Sequence, residues 1–422
     1  MSSATLSVPV GTLKSDATII SLVGVAHGTS HFFHLMLPPL FPWLMVEFGL
    51  GFAQVGLLMS VFFVVSGVGQ AIAGIWVDRF GAHRVLYTGV ALLTCSGVLV
   101  ALAPNIVVLF IGAAVAGLGN SVFHPADFAL LNKRVSTSRL GHAFSVHGIA
   151  GNLGWALAPV LMVALATAVS WRAAGWGAAL FGALSLSLLI WKRDVLKYEL
   201  QSANKTDAHV QGVAAPGSQG KQGFWFFLQV RMVWIAFAFF FFLTFGFGAL
   251  QNFAPPLLHD LYGLSLASAA SALTFYLLGG TAGLVLGGFL ARQDSRHERQ
   301  LAMALAGGAL LALLLALAIV PGWLVLPIMA AMGVGVGIAG PSRDLLVRTA
   351  TKARLGEGAF GRVYGMVYSG LDVGLAISPI VFGLLLDQQL PRMVFVGIAI
   401  SLVIAIVVAV MLAREVDGYA PH

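Results

Sequence analysis

"GLGNSVFHPADFALL", Gly117 to Leu131, and "GVGVGIAGPSRDLLV", Gly333 to Val347, read as one pattern used twice along the chain. With the second stretch set 216 residues after the first, Gly117, Gly119 and Pro125 fall on Gly333, Gly335 and Pro341, and Asp127 falls on Arg343. The repeat continues downstream. "GHAFSVHGIAGNLGWALAP", from Gly141, matches "GRVYGMVYSGLDVGLAISP", from Gly361, so that Gly154 and Pro159 meet Gly374 and Pro379 while Asn152 meets Asp372. Glycines and prolines repeated at fixed offsets across two consecutive apolar stretches predict a chain of two equivalent halves. Transporters built from such repeats place their substrate between the halves, near the bilayer midplane.

The setting of these stretches is a membrane. Of 422 residues, 59% are hydrophobic and 9% charged, against about a quarter charged in a soluble domain, and the mean hydropathy is +0.93. The 50 glycines suit closely packed membrane helices. A spanning helix needs about 20 apolar residues. Twelve stretches qualify, at 18–46, 53–77, 83–103, 106–132, 138–168, 171–191, 227–256, 266–291, 299–320, 323–350, 357–387 and 391–413. The first is too long for a signal peptide. The expected fold is therefore all-α and integral to the membrane, with twelve transmembrane helices in two pseudo-symmetric six-helix bundles. Residues 1–191 and 227–422 form the bundles, and 192–226, a polar stretch with no apolar period, forms the linker.

Charge fixes the expected orientation. Of 23 Lys and Arg, Arg172 and Arg392 are the two that fall in loops opposite the termini, whereas Arg79, Arg84, Lys133, Arg134, Arg139, Arg292, Arg296, Arg299, Lys352, Arg354 and the linker lysines lie on the terminal side. The positive-inside rule makes both termini and the linker cytoplasmic in a multi-pass inner (plasma) membrane protein. The net charge of +7 is thus a topology signal, and no nucleic-acid partner is expected. Cys95 is the single cysteine, which excludes an internal disulfide.

"GIWVDRFGAHR", Gly74 to Arg84, lies in the turn between the second and third stretches. It resembles the signature of the major facilitator superfamily, and the twelve stretches, the central linker and the repeated halves agree with that family over the whole chain. Within it, "FHPADFALL" followed by "GHAFSVHGIAGNLGWALAP" is similar to the fosmidomycin-resistance type of exporter, which carries Phe-His-Pro in its fourth helix and Gly-Asn-x-Gly…Pro in its fifth. The resemblance implies a gate formed by Gly74, Asp78, Arg79, Gly81 and Arg84. Its acid stabilises the outward-open state at the start of a helix from the other half, a contact worth about 0.3–2 kcal/mol. The resemblance also implies a monomer.

Ionisable groups at membrane depth cost at least about 2.5–3.5 kcal/mol each and usually face a cavity. His124 and Asp127 lie three residues apart on one face of the fourth helix, with Pro125 loosening the helix between them. They either take part in a site or hydrogen-bond to Asn152 or a backbone carbonyl and fix helix packing. In "HGTSHFFH", His27, His31 and His34 fall within an arc of about 60°. Three readings stay open for this stripe: proton or organic-substrate contact, transition-metal binding by His27, His31, His34 and His124, and neutral histidines lining a solvated cavity. His147 stands five residues before Asn152 and joins either network. In the second half, Arg343, Asp344 and Asp372 lie at membrane depth, and the arginine suits either a forked anion or a structural ion pair. Gln251, Asn252 and Tyr276 are candidates for neutral hydrogen bonding. "FAFFFFLTF", Phe237 to Phe245, reads as lipid-facing or packing surface, and "GLVLG" and "GVGVG" read as close helix contacts.

The chain lacks the Gly-x4-Gly-Lys-Ser/Thr loop of an ATP-driven motor, so a proton gradient is the expected energy source, with no cofactor. Asp127, His31, Asp344 and Asp372 are the expected proton sites. The leading reading is a proton-coupled exporter of a small anionic drug or metabolite. Its rivals are a carrier of a transition metal or metal chelate and, from another class, a non-transporting membrane receptor. Neither His-Glu-x-x-His nor Gly-x-Ser-x-Gly occurs, which argues against an enzyme.

Overall fold

The computed structural model describes residues 12–197, 229–293, 297–355 and 360–417. Within them every regular element is a helix, and twelve helical segments are long and apolar enough to cross a membrane. The spans are Leu13–Phe48, Phe52–Phe80, Ala82–Leu102, Ile106–Arg134, Leu140–Ala168 and Trp171–Trp191 in the first half. In the second they are Arg231–Tyr262, Leu266–Leu290, His297–Leu317, Gly322–Val347, Ser369–Asp387 and Pro391–Arg414. Of the central linker, residues 198–226 lie outside the described segments. Its first residues do not hang free: Arg134 donates to the carbonyls of Val195, at 2.9 Å, and Lys197, holding this strand of chain under the first half.

Two spans are broken, each for a proline reason. The first runs as helix Leu13–His34, a 3-10 turn Pro38–Leu40 and helix Phe41–Phe48, because Pro38 and Pro39 withhold two consecutive backbone donors that a continuing helix would need. The fourth divides into Ile106–Asn120 and Phe123–Arg134. The break therefore falls at Ser121 and Val122, one turn before Pro125, rather than at Pro125 itself. A proline cannot bond to the carbonyl four residues earlier, which here belongs to Ser121.

The halves pack by one scheme. In the first, span one lies on five, two on four and three on six; in the second, seven lies on eleven, eight on ten and nine on twelve. These are the same pairs shifted by six, the repeat expected from the sequence. The eighth and tenth spans meet through small residues: Gly279, Gly283 and Gly287 lie against the backbone at Ala330, Val334 and Ile338, and Gly333 and Gly337 against that at Tyr276 and Gly280. Both glycine motifs are thus close-contact surfaces. The phenylalanine run is packing surface, with Phe239 and Phe240 buried.

Between the halves, span two meets eleven and span five meets eight. At the end away from the termini the halves are pressed together. Phe253 of span seven touches Phe41 and Phe52 at ring separations of 5.9 and 6.0 Å. Asp387, closing span eleven, accepts the backbone N–H groups of Phe52 and Ala53, which open span two, at 2.6 and 3.0 Å. Deeper in, Ser60 donates to the Ala376 carbonyl at 2.6 Å and Thr274 to that of Ala156 at 2.8 Å.

Candidate functional site

The site begins with glycines on spans one and five. Gly28 and Gly154 bring the two backbones into contact, and a Cβ on Gly28 would stand 2.9 Å from the Ala150 carbonyl oxygen. A Cβ on Gly151 would stand 2.7 Å from His31 Nδ1 and 3.0 Å from His27 Cδ2. Without these glycines the imidazoles of span one would have no room beside span five. With them, His27 and His147 stack at 3.5 Å between ring centroids.

Asp127 of span four, wholly buried, lies under this pair. His147 Nε2 donates to Asp127 Oδ2 at 3.0 Å, and His27 Nδ1 stands 3.1 Å from the same oxygen. The His27 contact is close enough for charge attraction, but its angle falls short of a hydrogen bond. The other carboxylate oxygen, Oδ1, is buried with no partner. Asp127 is therefore anchored by histidines of two other spans, not by Asn152, which is half-buried one turn beyond His147. His124 completes the cluster, exposed, with its ring 5.3 Å from that of His27.

From His27 the stripe continues up span one, to His31 at 4.3 Å and His34 at 5.0 Å. His34 Nε2 donates to Asn120 Oδ1 at 2.8 Å, Ser30 Oγ donates to the same oxygen at 2.7 Å, and Asn120 Nδ2 donates to Ser66 Oγ at 2.7 Å. This buried network joins spans one, two and four. The bond from Nε2 leaves His34 Nδ1 as an unpartnered acceptor.

The metal alternative takes a different set of residues in three dimensions. Ligand nitrogens of His27, His124 and His147 lie within 4.8 Å of one another, whereas His31 and His34 lie farther along the stripe. Imidazoles and a carboxylate suit a first-row divalent ion. Asp127 Oδ2 lies beside this group, 3.1 Å from His27 Nδ1 and 3.0 Å from His147 Nε2.

Other expected residues lie elsewhere. Gln251 and Asn252 are wholly buried in span seven and Tyr276 nearly so in span eight. Arg343 lies with its guanidinium 4.9 Å from the Phe240 ring, and nothing is described of the Asp344 side chain. Asp372 faces span two: a Cβ on Gly67 would stand 3.6 Å from its own Cβ. Of the gate residues, Gly74, Asp78, Arg79 and Arg84 are exposed. Gly81 joins spans two and three at φ 87°, a backbone region that favours glycine. The segment 356–359, before span eleven, lies outside the described residues.

The structure adds residues that sequence reasoning passed over: Asn120, Ser30, Ser66, Gly151, Trp155, Phe247 and Asp387. Asn120 carried a signal, a lone amide ending a glycine-rich apolar run. Trp155 and Phe247 carried none, since an aromatic ring in a membrane span is ordinary packing material.

Comparison with known proteins agrees with this architecture. Residues 23–360 match the model of the Major Facilitator Superfamily. The chain is 29% identical over 148 residues to the fosmidomycin resistance protein of Escherichia coli, a match spanning 35% of this chain and 36% of that protein's length. It is 24% identical over 377 residues to the probable sulfoacetate transporter SauU of Cupriavidus necator, covering 84% of each chain. Its fold superposes on the crystal structure of a bacterial homolog of the human lysosomal transporter Spinster, inward-facing and unoccupied, with TM-score 0.73, 14% identity and coverage of 98% of this chain and 100% of that one. Twelve spans in two halves that pack by one scheme, together with a family match over most of the sequence, lead to one conclusion: the chain belongs to the major facilitator superfamily.

Proposed function

We propose that the protein is a proton-coupled secondary transporter that exports a small organic anion, its two halves alternating access to a site between them. The observation that carries this reading is Asp127, a wholly buried carboxylate with one oxygen shared by His27 and His147 and the other without a partner. With Asp127 ionised, His147 donates to Oδ2 and His27 stands 3.1 Å from the same oxygen. A proton on Oδ1 removes the buried charge that these imidazoles face. Two arrangements that differ by one proton are what coupling requires, since a ligand shifts a conformational equilibrium only by binding its states unequally. His124 is the exposed edge of the cluster, and the His27, His31 and His34 stripe leads from it toward the other half.

An anionic cargo is supported by the relative named for sulfoacetate and by Arg343, a permanent cation in the second half. With both termini and the linker cytoplasmic in the inner membrane, the sealed end is the outer one, and Asp78 and Arg79 belong to the gate at the inner one. The protein works as a monomer and draws its energy from the proton gradient.

The test is reconstitution into sealed vesicles with an imposed pH gradient and a labelled organic anion. Asp127→Asn should abolish gradient-driven flux while the variant remains folded and still exchanges anion for anion. Full pH-driven flux in Asp127→Asn defeats the coupling assignment. Flux of a divalent metal instead of an anion, lost in His27→Ala and His147→Ala, would establish the rival cargo.

A further inference from the structure

Four rings follow one another across the seam between the halves. His31 of span one stacks on Trp155 of span five at 4.2 Å, Trp155 meets Phe247 of span seven at 5.7 Å, and Phe247 stacks on Tyr276 of span eight at 6.0 Å. The first two rings belong to one half and the last two to the other. Gln251 follows Phe247 by one helical turn and so shares its face.

Four buried polar atoms on or beside these rings have no hydrogen-bond partner. Gln251 is wholly buried, and neither atom of its amide has a hydrogen-bond partner; Trp155 Nε1 and His31 Nδ1 are likewise buried without one. Buried polar groups are ordinarily paired, and a cluster of exceptions calls for a specific cause. His31 Nδ1 faces Gly151 within the first half, and a ligand entering between the halves would supply the missing partners of Trp155 and Gln251.

The donor set says what kind of ligand. Trp155 Nε1 can only donate, Gln251 offers a donating NH2 beside a single carbonyl, and the imidazole can do either. None of these five residues carries a permanent charge. A sugar acid would set a rank of hydroxyls against ring faces that cannot bond them. A flat conjugated body stacks on those faces, and a single carboxylate takes the donors.

We propose that this seam is the substrate site and selects flat, conjugated or aromatic monocarboxylates. The ligand ring takes over the contact between Trp155 and Phe247, and its carboxylate accepts from Trp155 Nε1 and Gln251 Nε2. The proposal rests on the organic-anion reading above and names its substrate class. It also ties binding to conformation. Ring partners sit about 4.5–7 Å apart, so a ring placed between Trp155 and Phe247 must part the two halves at this level.

The experiment measures binding of benzoate, cyclohexanecarboxylate and glucuronate to the purified full-length protein by equilibrium dialysis. Benzoate should bind about three- to tenfold more tightly than its saturated counterpart, and glucuronate more weakly than either. Trp155→Leu and Gln251→Leu should each weaken benzoate about tenfold. Trp155→Phe, which keeps a ring for packing and loses only the N–H, should weaken it a few-fold and bring benzoate and cyclohexanecarboxylate no closer together. Equal affinity for benzoate and cyclohexanecarboxylate overturns the proposal, as does benzoate binding that is absent or untouched by Trp155→Phe and Gln251→Leu. Vesicle flux separates the two readings. Asp127-dependent flux of glucuronate without benzoate flux overturns the substrate class alone, whereas anion flux that ignores Asp127 overturns the coupling and leaves the dialysis result to decide the class.

Discussion

Asp387 accepts the backbone N–H of Phe52 at 2.6 Å, joining the last residue of span eleven to the first of span two. The neighbouring Ala53 N–H reaches the second carboxylate oxygen at 3.0 Å, so one side chain satisfies two of the four free donors that begin a helix. The contact also places a negative charge on the positive end of the helix dipole. Such contacts contribute about 0.3–2 kcal/mol, enough to bias two states of nearly equal energy. This is the chemistry expected of Asp78 at the opposite end, carried by a different residue.

Loss of this latch should let the sealed end open. With Cys95→Ser as background, to remove the exposed native thiol, a cysteine placed at Phe253 should react faster with a membrane-impermeant maleimide in Asp387→Ala than in the parent. Asp387→Asn, which keeps one acceptor oxygen without the charge, should lie between the two. Identical labelling rates in all three would remove Asp387 from the gate.

Asp127 and His147 should behave as a coupled pair. His147→Ala strips the buried carboxylate of its 3.0 Å donor, at a cost of about 1–3 kcal/mol. Adding Asp127→Asn removes the charge that needed the donor. The double variant should therefore unfold at a higher temperature in detergent than additivity of the single variants allows. Strict additivity would mean that the two side chains are neighbours without interacting.

Gly151→Ala tests the packing that assembles the histidines. Its methyl group would meet His31 Nδ1 at 2.7 Å and His27 at 3.0 Å, closer than non-bonded atoms approach. Spans one and five must then separate or the imidazoles must swing away, and overpacking of this sort costs about 1–3 kcal/mol. Transport should fall by more than in Gly148→Ala, where nothing lies within 4 Å of the added atom. Matching flux in the two variants would show that the histidine stack is dispensable.

Asp16 anchors the start of span one. Wholly buried, it accepts from Ser136 Oγ at 2.6 Å and Arg139 Nη1 at 2.7 Å, both in the turn between spans four and five. Asp16→Ala removes the carboxylate that accepts from both side chains, and hydrogen bonds to charged groups contribute about 1.5–3 kcal/mol. The melting temperature of the purified protein should fall accordingly, with transport per folded molecule little changed. A variant as stable as the parent would show that the turn is held by other contacts.

The twelve spans, the two equivalent halves and the polar residues inside the spans were legible in the order of the residues. This is so because lipid is a severe solvent: an apolar run about 20 residues long has few other uses, and every charge inside one marks a cost that something must offset. Helical spacing also determined which residues share a face, so the stripe of His27, His31 and His34 was legible on one helix. The partners of that stripe were not. His147 meets Asp127 from 20 residues away, Trp155 meets Phe247 across the two halves, and Asp387 meets Phe52 across 335 residues. Spacing along a helix says nothing of how that helix is rotated against its neighbour. That rotation follows from the shapes that fit together, above all the glycines at 28, 151 and 154, which let two backbones touch and so set which imidazoles face the buried carboxylate.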